Sequence, residues 1–233
     1  MTEKYRQFAA GQNAVNNLLS GKYSLTRAMK PPAKKILGCI DDGIEEAQSR
    51  AAGSYILLGE DEAMKLVWQN GFEYIGFHDD CGAVKKYLED KGVFEPSSEQ
   101  VNQESKRWAK RLAQLTKCKA KKMELTRGHH HEARIAYYDG TGKMTSTMGL
   151  PKGFIISRGV LRRDYACSEM VTATDIAFNH GFNELYSPER SFIWAALGKD
   201  QNHAAELEGE LKPILSRLTH FELGAIKVIA ISL

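Results

Sequence analysis

The sequence predicts an α/β fold, a mostly parallel central sheet flanked by helices, with residues 1–233 in a single domain. Three observations carry this. The run Lys35-Ile36-Leu37-Gly38-Cys39-Ile40 is short, apolar and closed by Asp41-Asp42-Gly43, the profile of a buried parallel strand followed by a turn. A second apolar run, Phe72 to Phe77, follows one helical stretch later with short connections, so the two strands and the helix between them form a βαβ unit within residues 34–92. Finally, 233 residues with no compositional break are enough for one large core.

The remaining elements follow from periodicity and stop signals. Glu3 to Leu19 carries apolar residues at helical spacing, and Gly21 and Pro31-Pro32 end it; residues 1–30 are therefore an N-terminal helical arm, a clasp or a dimer contact. Glu60 to Gln69 reads as a helix with Ala63, Leu66 and Val67 on one face and Asn70-Gly71 as its stop. Gly82 to Leu88 is the helix leaving the second strand, and Ser98 to Lys117 a long amphipathic helix with Trp108, Leu112 and Leu115 inward. Strands are expected at Ala133 to Tyr138 and Gly153 to Ser157, with Asp139-Gly140-Thr141-Gly142 as a hairpin turn. That segment lacks the following Lys-Ser/Thr of a nucleotide loop. A helix over Asp164 to Asn179, a strand over Ser191 to Leu197, a helix over Ala204 to Leu218 kinked near Pro213 and a strand over Lys227 to Leu233 complete the chain. No internal repeat is visible.

Charge and composition exclude several classes of function. A formal charge of +3 is small for this length, and the basic runs Lys117 to Lys122 and Arg158 to Arg163 lack interleaved aromatics, so they read as solvated faces and no nucleic-acid partner is expected. The N-terminus lacks the apolar core of a secretory signal, and no run approaches the ~20 apolar residues of a membrane span. A cytoplasmic protein with no membrane partner is the expectation. In a reducing compartment, thiols beside a histidine are ligands or nucleophiles before they are disulfides. Cys118 and Cys167 lack such company and read as structural.

The chemistry gathers at two turns. Cys39-Ile40-Asp41 ends the first strand and His78-Asp79-Asp80-Cys81-Gly82-Ala83 ends the second. Ligands at the carboxyl ends of adjacent parallel strands converge in the crevice where open α/β sheets bind. Two thiolates and an imidazole suit zinc at tetrahedral geometry, with a fourth position left for water, substrate or Asp41. A bound zinc lowers the pKa of water from ~15.7 toward ~7.

Cys-x-Asp after one strand and His-x-x-Cys-Gly-Ala after the next resembles the zinc site of the β-class carbonic anhydrases, over Ile36 to Leu88, about a fifth of the chain. There is a looser similarity to the cadmium or zinc carbonic anhydrase repeats, through His129-His130-His131-Glu132. The resemblance implies Cys39, His78 and Cys81 as ligands of Zn2+, or of Cd2+ or another divalent metal in its place. It implies Asp41 as the carboxylate that orients metal-bound hydroxide or closes the fourth position, CO2 and bicarbonate as small-molecule substrate and product, and a homodimer or higher homo-oligomer. Ile40, Tyr55 and Phe77 could line the pocket; His129 to His131 read as a solvated turn before a strand, with a second metal site or a proton shuttle as the alternatives and His131 the one of them best placed to reach the pocket. The family's arginine partner to the aspartate is here Gly43; Arg50, before Ala51-Ala52-Gly53, is the candidate replacement.

Rival readings share these residues. COS or CS2, linear like CO2, could be hydrolysed at the same site; a zinc-binding or regulatory homologue could keep the metal with Asp41 closing it; Cys39 and Cys81 could be a redox pair without metal.

Overall fold

The computed structural model of the chain describes residues 3–29, 34–41, 43, 44, 47, 49, 50, 58–126, 134–179 and 185–233. In chain order they form α1 (Glu3–Leu19), β1 (Ile36–Gly38), β2 (Ser49–Arg50), α2 (Glu60–Asn70), β3 (Tyr74–Phe77), α3 (Gly82–Asp90), α4 (Ser98–Thr116), β4 (Lys119–Lys122), β5 (Ile135–Asp139), β6 (Gly153–Ile156), α5 (Arg163–Asn179), β7 (Phe192–Gly198), α6 (Gln201–Leu215), α7 (Thr219–Glu222) and β8 (Ile226–Ser232). The fold is α/β, with parallel sheets flanked by helices. No helix among the described residues is long and apolar enough to cross a membrane.

Local chemistry sets the helix ends. Glu60, Asp61 and Glu62 crowd the first turn of α2, where the helix dipole favours negative charge. Gly71, at φ +63°, ends that helix by returning its N–H to the Val67 carbonyl. A reciprocal capping box between Ser97 and Gln100 starts α4. The buried face of α4 is Val101, Ser105, Ala109, Leu112, Ala113 and Thr116. Leu112 points inward as expected, but Leu115 does not: it is 40% exposed, because the inward stripe advances to Ala113 and Thr116.

The expected central sheet is divided into two four-stranded sheets, ordered β2-β1-β3-β4 and β6-β5-β7-β8, with every strand pair parallel. The two orders are the same. In each sheet the first strand in the chain lies inside, the second flanks it, the third lies on its other side and the fourth extends the sheet beyond the third. This is a repeat of topology with no visible repeat of sequence. The sheets meet where β2 contacts β6 and where, just beyond β1, the Ile40 carbonyl accepts the Ile155 N–H of β6 at 3.2 Å. One apolar cluster runs through both, from Ile36, Leu37 and Ile75 to Phe154, Phe192 and Trp194.

The parallel pairing of β5 with β6 corrects the hairpin expected at Asp139 to Gly142. Asp139 does make a turn: its buried carboxylate accepts from the Thr141 N–H at 2.9 Å, the Thr141 hydroxyl at 2.6 Å and the Met144 N–H at 2.8 Å. The chain then uses residues 140–152 to return to the start of the sheet, the longer route that parallel pairing requires. The Lys117 to Lys122 run is indeed solvated, yet its backbone forms β4, an edge strand whose exposed lysines discourage pairing with another chain.

Helix α1 packs on the second sheet. Val15 and Leu18 pack on the face of the second sheet that carries Tyr137, Ile155 and Ile193, and Phe8 packs beside Leu185 and Tyr186. Arg134, fully buried just before β5, holds the helix there. Its guanidinium lies 3.6 Å from the Phe8 ring centroid and donates to Gln12 Oε1 at 2.6 Å and, at 3.4 Å, to the carbonyls of Phe8, Arg190 and Ser191. Gly11 makes room for it, since a Cβ there would sit 2.7 Å from Arg134 Cγ.

Candidate metal centre

The register Ile36↔Tyr74 and Leu37↔Ile75 brings the carboxyl ends of β1 and β3 side by side. Cys39 lies just beyond β1 and His78 just beyond β3. Cys81 returns to them because the intervening turn is sharp: Asp80 adopts φ +52°, a conformation that aspartate tolerates better than most residues, and its N–H is held by Asn102 Oδ1 of α4 at 2.7 Å. Asp79 pairs with Lys122 of β4 at 2.5 Å, which offsets part of the negative charge of the Asp79-Asp80 pair.

Cys39, His78 and Cys81 are all buried, and their ligand atoms lie within 4.8 Å of one another. The two sulfurs are 3.8 Å apart. Two thiolates on a tetrahedral metal at ~2.3 Å would be separated by about this distance. His78 Nδ1 lies 2.8 Å from the Asp79 carbonyl, which can only accept, so Nδ1 carries a hydrogen and the neutral ring keeps its lone pair at Nε2. That Nε2 is buried and makes no hydrogen bond, an orphan that a metal would satisfy. The three residues form a group that could hold a metal ion.

Electrostatics fit the same reading. The Cys81 S–H directed at Cys39 draws the Cys39 thiol well below its ordinary range, against its burial and with further help from His78. Cys81 is pushed the other way, as the donor to Cys39 and by burial. The pair thus releases one proton readily and holds the second until a cation offsets the charge. Burial works against a charged His78, but the hydrogen-bonding and coulombic pull of the Cys39 sulfur more than offsets it and brings the imidazole to about 9, so without metal Nε2 carries a proton that a bound cation would displace. Cys81 also lies at the N-terminus of α3, with the Val84 N–H directed to its sulfur.

Asp41 is buried nearby, and its charge opposes ionisation of both thiols. Its Oδ1 accepts the backbone N–H of Gly43 at 2.9 Å, and the Ile44 N–H bonds back to the Asp41 carbonyl at 3.2 Å. The Asp41 turn is anchored in turn to the loop after β4, where Thr126 donates both its N–H and its hydroxyl to the Gly43 carbonyl. Asp41 does not join the three ligands in their 4.8 Å group. The backbone of Arg50 lies on β2 in register with Gly38, next to Cys39. Its side chain, Tyr55 and the whole His129-His130-His131-Glu132 segment lie outside the described residues. Ile40 is buried and Phe77 half-buried.

The other cysteines are free thiols remote in role. Cys118 donates to the Phe72 carbonyl at 3.1 Å, and Cys167 lies 3.9 Å from the Tyr138 hydroxyl. Sequence reasoning missed Asn102 and Lys122, the residues that shape the His78-to-Cys81 turn. It also missed Ile155, whose N–H fixes Ile40 between Cys39 and Asp41. No family model, curated protein or solved structure matches the chain.

Proposed function

We propose that this protein is a zinc-dependent hydratase that interconverts CO2 and bicarbonate, with Cys39, His78 and Cys81 holding the metal. The observation that carries the reading is the orphaned, buried Nε2 of His78 beside two sulfurs 3.8 Å apart. Thiolate and imidazole donors in this proportion favour zinc over harder divalent ions. When bound, zinc supplies the Lewis acidity that makes water a usable nucleophile near neutral pH.

The chain's own residues do the rest. Asp41 is the acceptor that orients the attacking water, and the Gly43 N–H keeps its carboxylate directed in the role that the family gives to an arginine. The Asp79 carbonyl fixes the His78 tautomer. Cys39, Asp41, His78 and Cys81 are all buried, so the charges act in a poorly screened environment. The water oxygen bonds to the carbon of CO2, one proton leaves to solvent buffer, and bicarbonate departs.

Metal content by elemental analysis, with stopped-flow CO2 hydration on the same samples, tests this reading. About one zinc per chain with hydration in the wild type, and loss of both in Cys81→Ala, is the expected result. Zinc without hydration would move the assignment to COS or CS2 hydrolysis, or to a silent site closed by Asp41. Absence of metal would leave Cys39 and Cys81 as a thiol pair and overturn the proposal.

A further inference from the structure

The two sheets share one strand order, so the second has its own counterpart to the crevice that holds the candidate metal centre: the carboxyl ends of β5, β6 and β7. A cavity of about 300 Å³ opens there. Gly140 after β5, the Arg158-Gly159-Val160-Leu161-Arg162 segment after β6, and His203, Glu206, Leu207 and Glu210 of α6 after β7 line it. The volume lies at the lower end of the range for small-molecule sites. No thiol lines it, so its chemistry differs from that of the first crevice.

Glycines let the turns around this space pack closely. A Cβ on Gly140 would meet Leu207 Cδ1 at 2.4 Å and His203 Nε2 at 3.1 Å; one on Gly159 would lie 2.5 Å from the Gly142 nitrogen and 2.7 Å from the Gly140 carbonyl oxygen. The Gly142 and Gly140 contacts are backbone, so a side chain at 159 could not be absorbed by a rotamer change.

The polar groups are arranged unequally. Glu210 is already spent: its Oε1 accepts from Arg158 Nη2 at 3.1 Å, and its Oε2 from Arg158 Nε at 2.9 Å and the Tyr138 hydroxyl at 3.0 Å. That fork holds the Arg158 guanidinium in one orientation. Of its five N–H groups, a third donates to the Leu161 carbonyl and the Tyr138 hydroxyl also engages the group, which leaves at least one for a ligand. Arg162 engages Asp164 through Nε and Nη2 on the exposed side, a surface pair of small strength, and its guanidinium lies 5.3 Å from the centre of the Tyr165 ring, with Nη1 outside the Asp164 pair. The Lys199 N–H donates to His203 Nδ1 at 3.2 Å, so the neutral His203 ring carries its hydrogen on Nε2, the edge that faces Gly140. Glu206 has no ion pair among the described residues. Three donor side chains therefore converge with one uncommitted carboxylate and the apolar Val160, Leu161 and Leu207.

We infer that this second crevice binds a small phosphorylated metabolite, its phosphate oxygens held by Arg158, Arg162 and His203 and a hydroxyl or amine of its body donating to Glu206. Planar guanidinium groups with N–H donors to spare match a tetrahedral oxyanion. The volume exceeds what phosphate alone would fill. This site is independent of the metal chemistry proposed for the first sheet.

Isothermal titration with inorganic phosphate and with ribose 5-phosphate tests the inference on four full-length proteins: wild type, Arg162→Gln, His203→Asn and Cys81→Ala. Asparagine at 203 can keep an acceptor for the Lys199 N–H while removing the Nε2 donor, and Arg162 gives up only exposed contacts, the Asp164 pair and the Tyr165 ring, so both variants should stay folded, with the melting temperature as the check. The expected result is saturable binding of both probes to wild type and Cys81→Ala, tighter for ribose 5-phosphate, and weakened about tenfold or more by each of the other two changes. Failure of either probe to saturate the wild type, or affinity unchanged in either of those two variants, would overturn it. Binding lost in Cys81→Ala would place the anion at the metal centre and also overturn it.

Discussion

The sulfurs of Cys39 and Cys81 lie 3.8 Å apart although 42 positions separate them in sequence. Parallel pairing of β1 with β3 brings the two turns together, and the left-handed backbone of Asp80 closes the remaining gap. The pair is thus a product of tertiary structure. Its separation suits two thiolates sharing a cation, and it is longer than the ~2.05 Å of a disulfide.

Metal occupancy should therefore control thiol reactivity. With metal bound, alkylation of Cys39 and Cys81 is expected to be slow, because their thiolates are buried and engaged; after chelation, Cys39 should react first, since Cys81 and His78 favour its ionised form. Peptide mapping of alkylated protein, with and without chelator, reads this directly. Equal labelling of Cys39 in both states would argue against any metal at this site.

Asp41→Asn separates holding the metal from using it. The asparagine oxygen can still accept the Gly43 N–H, so the turn and the three ligands should survive. An amide cannot take the acceptor role of the carboxylate in the same way, and CO2 hydration should fall by roughly 100-fold or more with zinc content unchanged. Retained activity would remove Asp41 from the mechanism.

What was legible in the sequence depended on range. Short apolar runs closed by Asp41-Asp42-Gly43 and Asn70-Gly71 reported strands and a helix end correctly, because those signals are local. The clustering of Cys39, His78 and Cys81 was also legible, since adjacent parallel strands place their carboxyl ends together, although β2, between β1 and α2 in the chain, was not. Direction was not: Asp139-Gly140-Thr141-Gly142 announces a turn, but nothing in four residues says whether the chain pairs antiparallel at once or travels to a parallel start. The split into two sheets of equal order was equally hidden, because it rests on long-range strand pairings such as Leu37 with Ile75 in one sheet and Ile135 with Ile193 in the other. Support residues such as Asn102 carry no motif at all; their role exists only once Asp80 is folded against α4.

Gly198 ends β7 where the backbone of α6 passes closest. A Cβ there would lie 2.1 Å from the Ala204 nitrogen and 2.6 Å from its Cα, atoms that no side-chain rotation can move. Gly198→Ala should destabilise the fold by about 1–3 kcal/mol, and at ~2–4 °C per kcal/mol for a chain of this size the thermal midpoint should fall by several degrees. Gly209→Ala, on the same helix with nothing within 4 Å of its Cβ position, is the control and should leave the midpoint unchanged or raise it. Equal midpoints for the two variants would contradict the close approach of α6 to β7.

Glu210 gives the fold an acid-sensitive joint. Burial alone would raise its pKa, but the two bonds from Arg158 and the one from Tyr138 hold it below its ordinary value of 4.5. A carboxylate whose folded pKa is depressed contributes stability that is fully present above its unfolded pKa and disappears as pH falls through the folded one. At pH 7 the carboxylate joins β6 to α6 through Arg158, and Glu210→Gln should lower stability by about 1–3 kcal/mol, the loss of charge-assisted bonds in a partly shielded pair. The difference from wild type should be constant between pH 6 and 8, shrink as pH falls below about 4.5, and be smallest once the wild-type carboxylate is protonated. Denaturant unfolding of both proteins across that range measures it. A difference that stayed constant down to pH 3 would show that the glutamine acts by disturbing packing, with the charge of Glu210 contributing nothing to the joint.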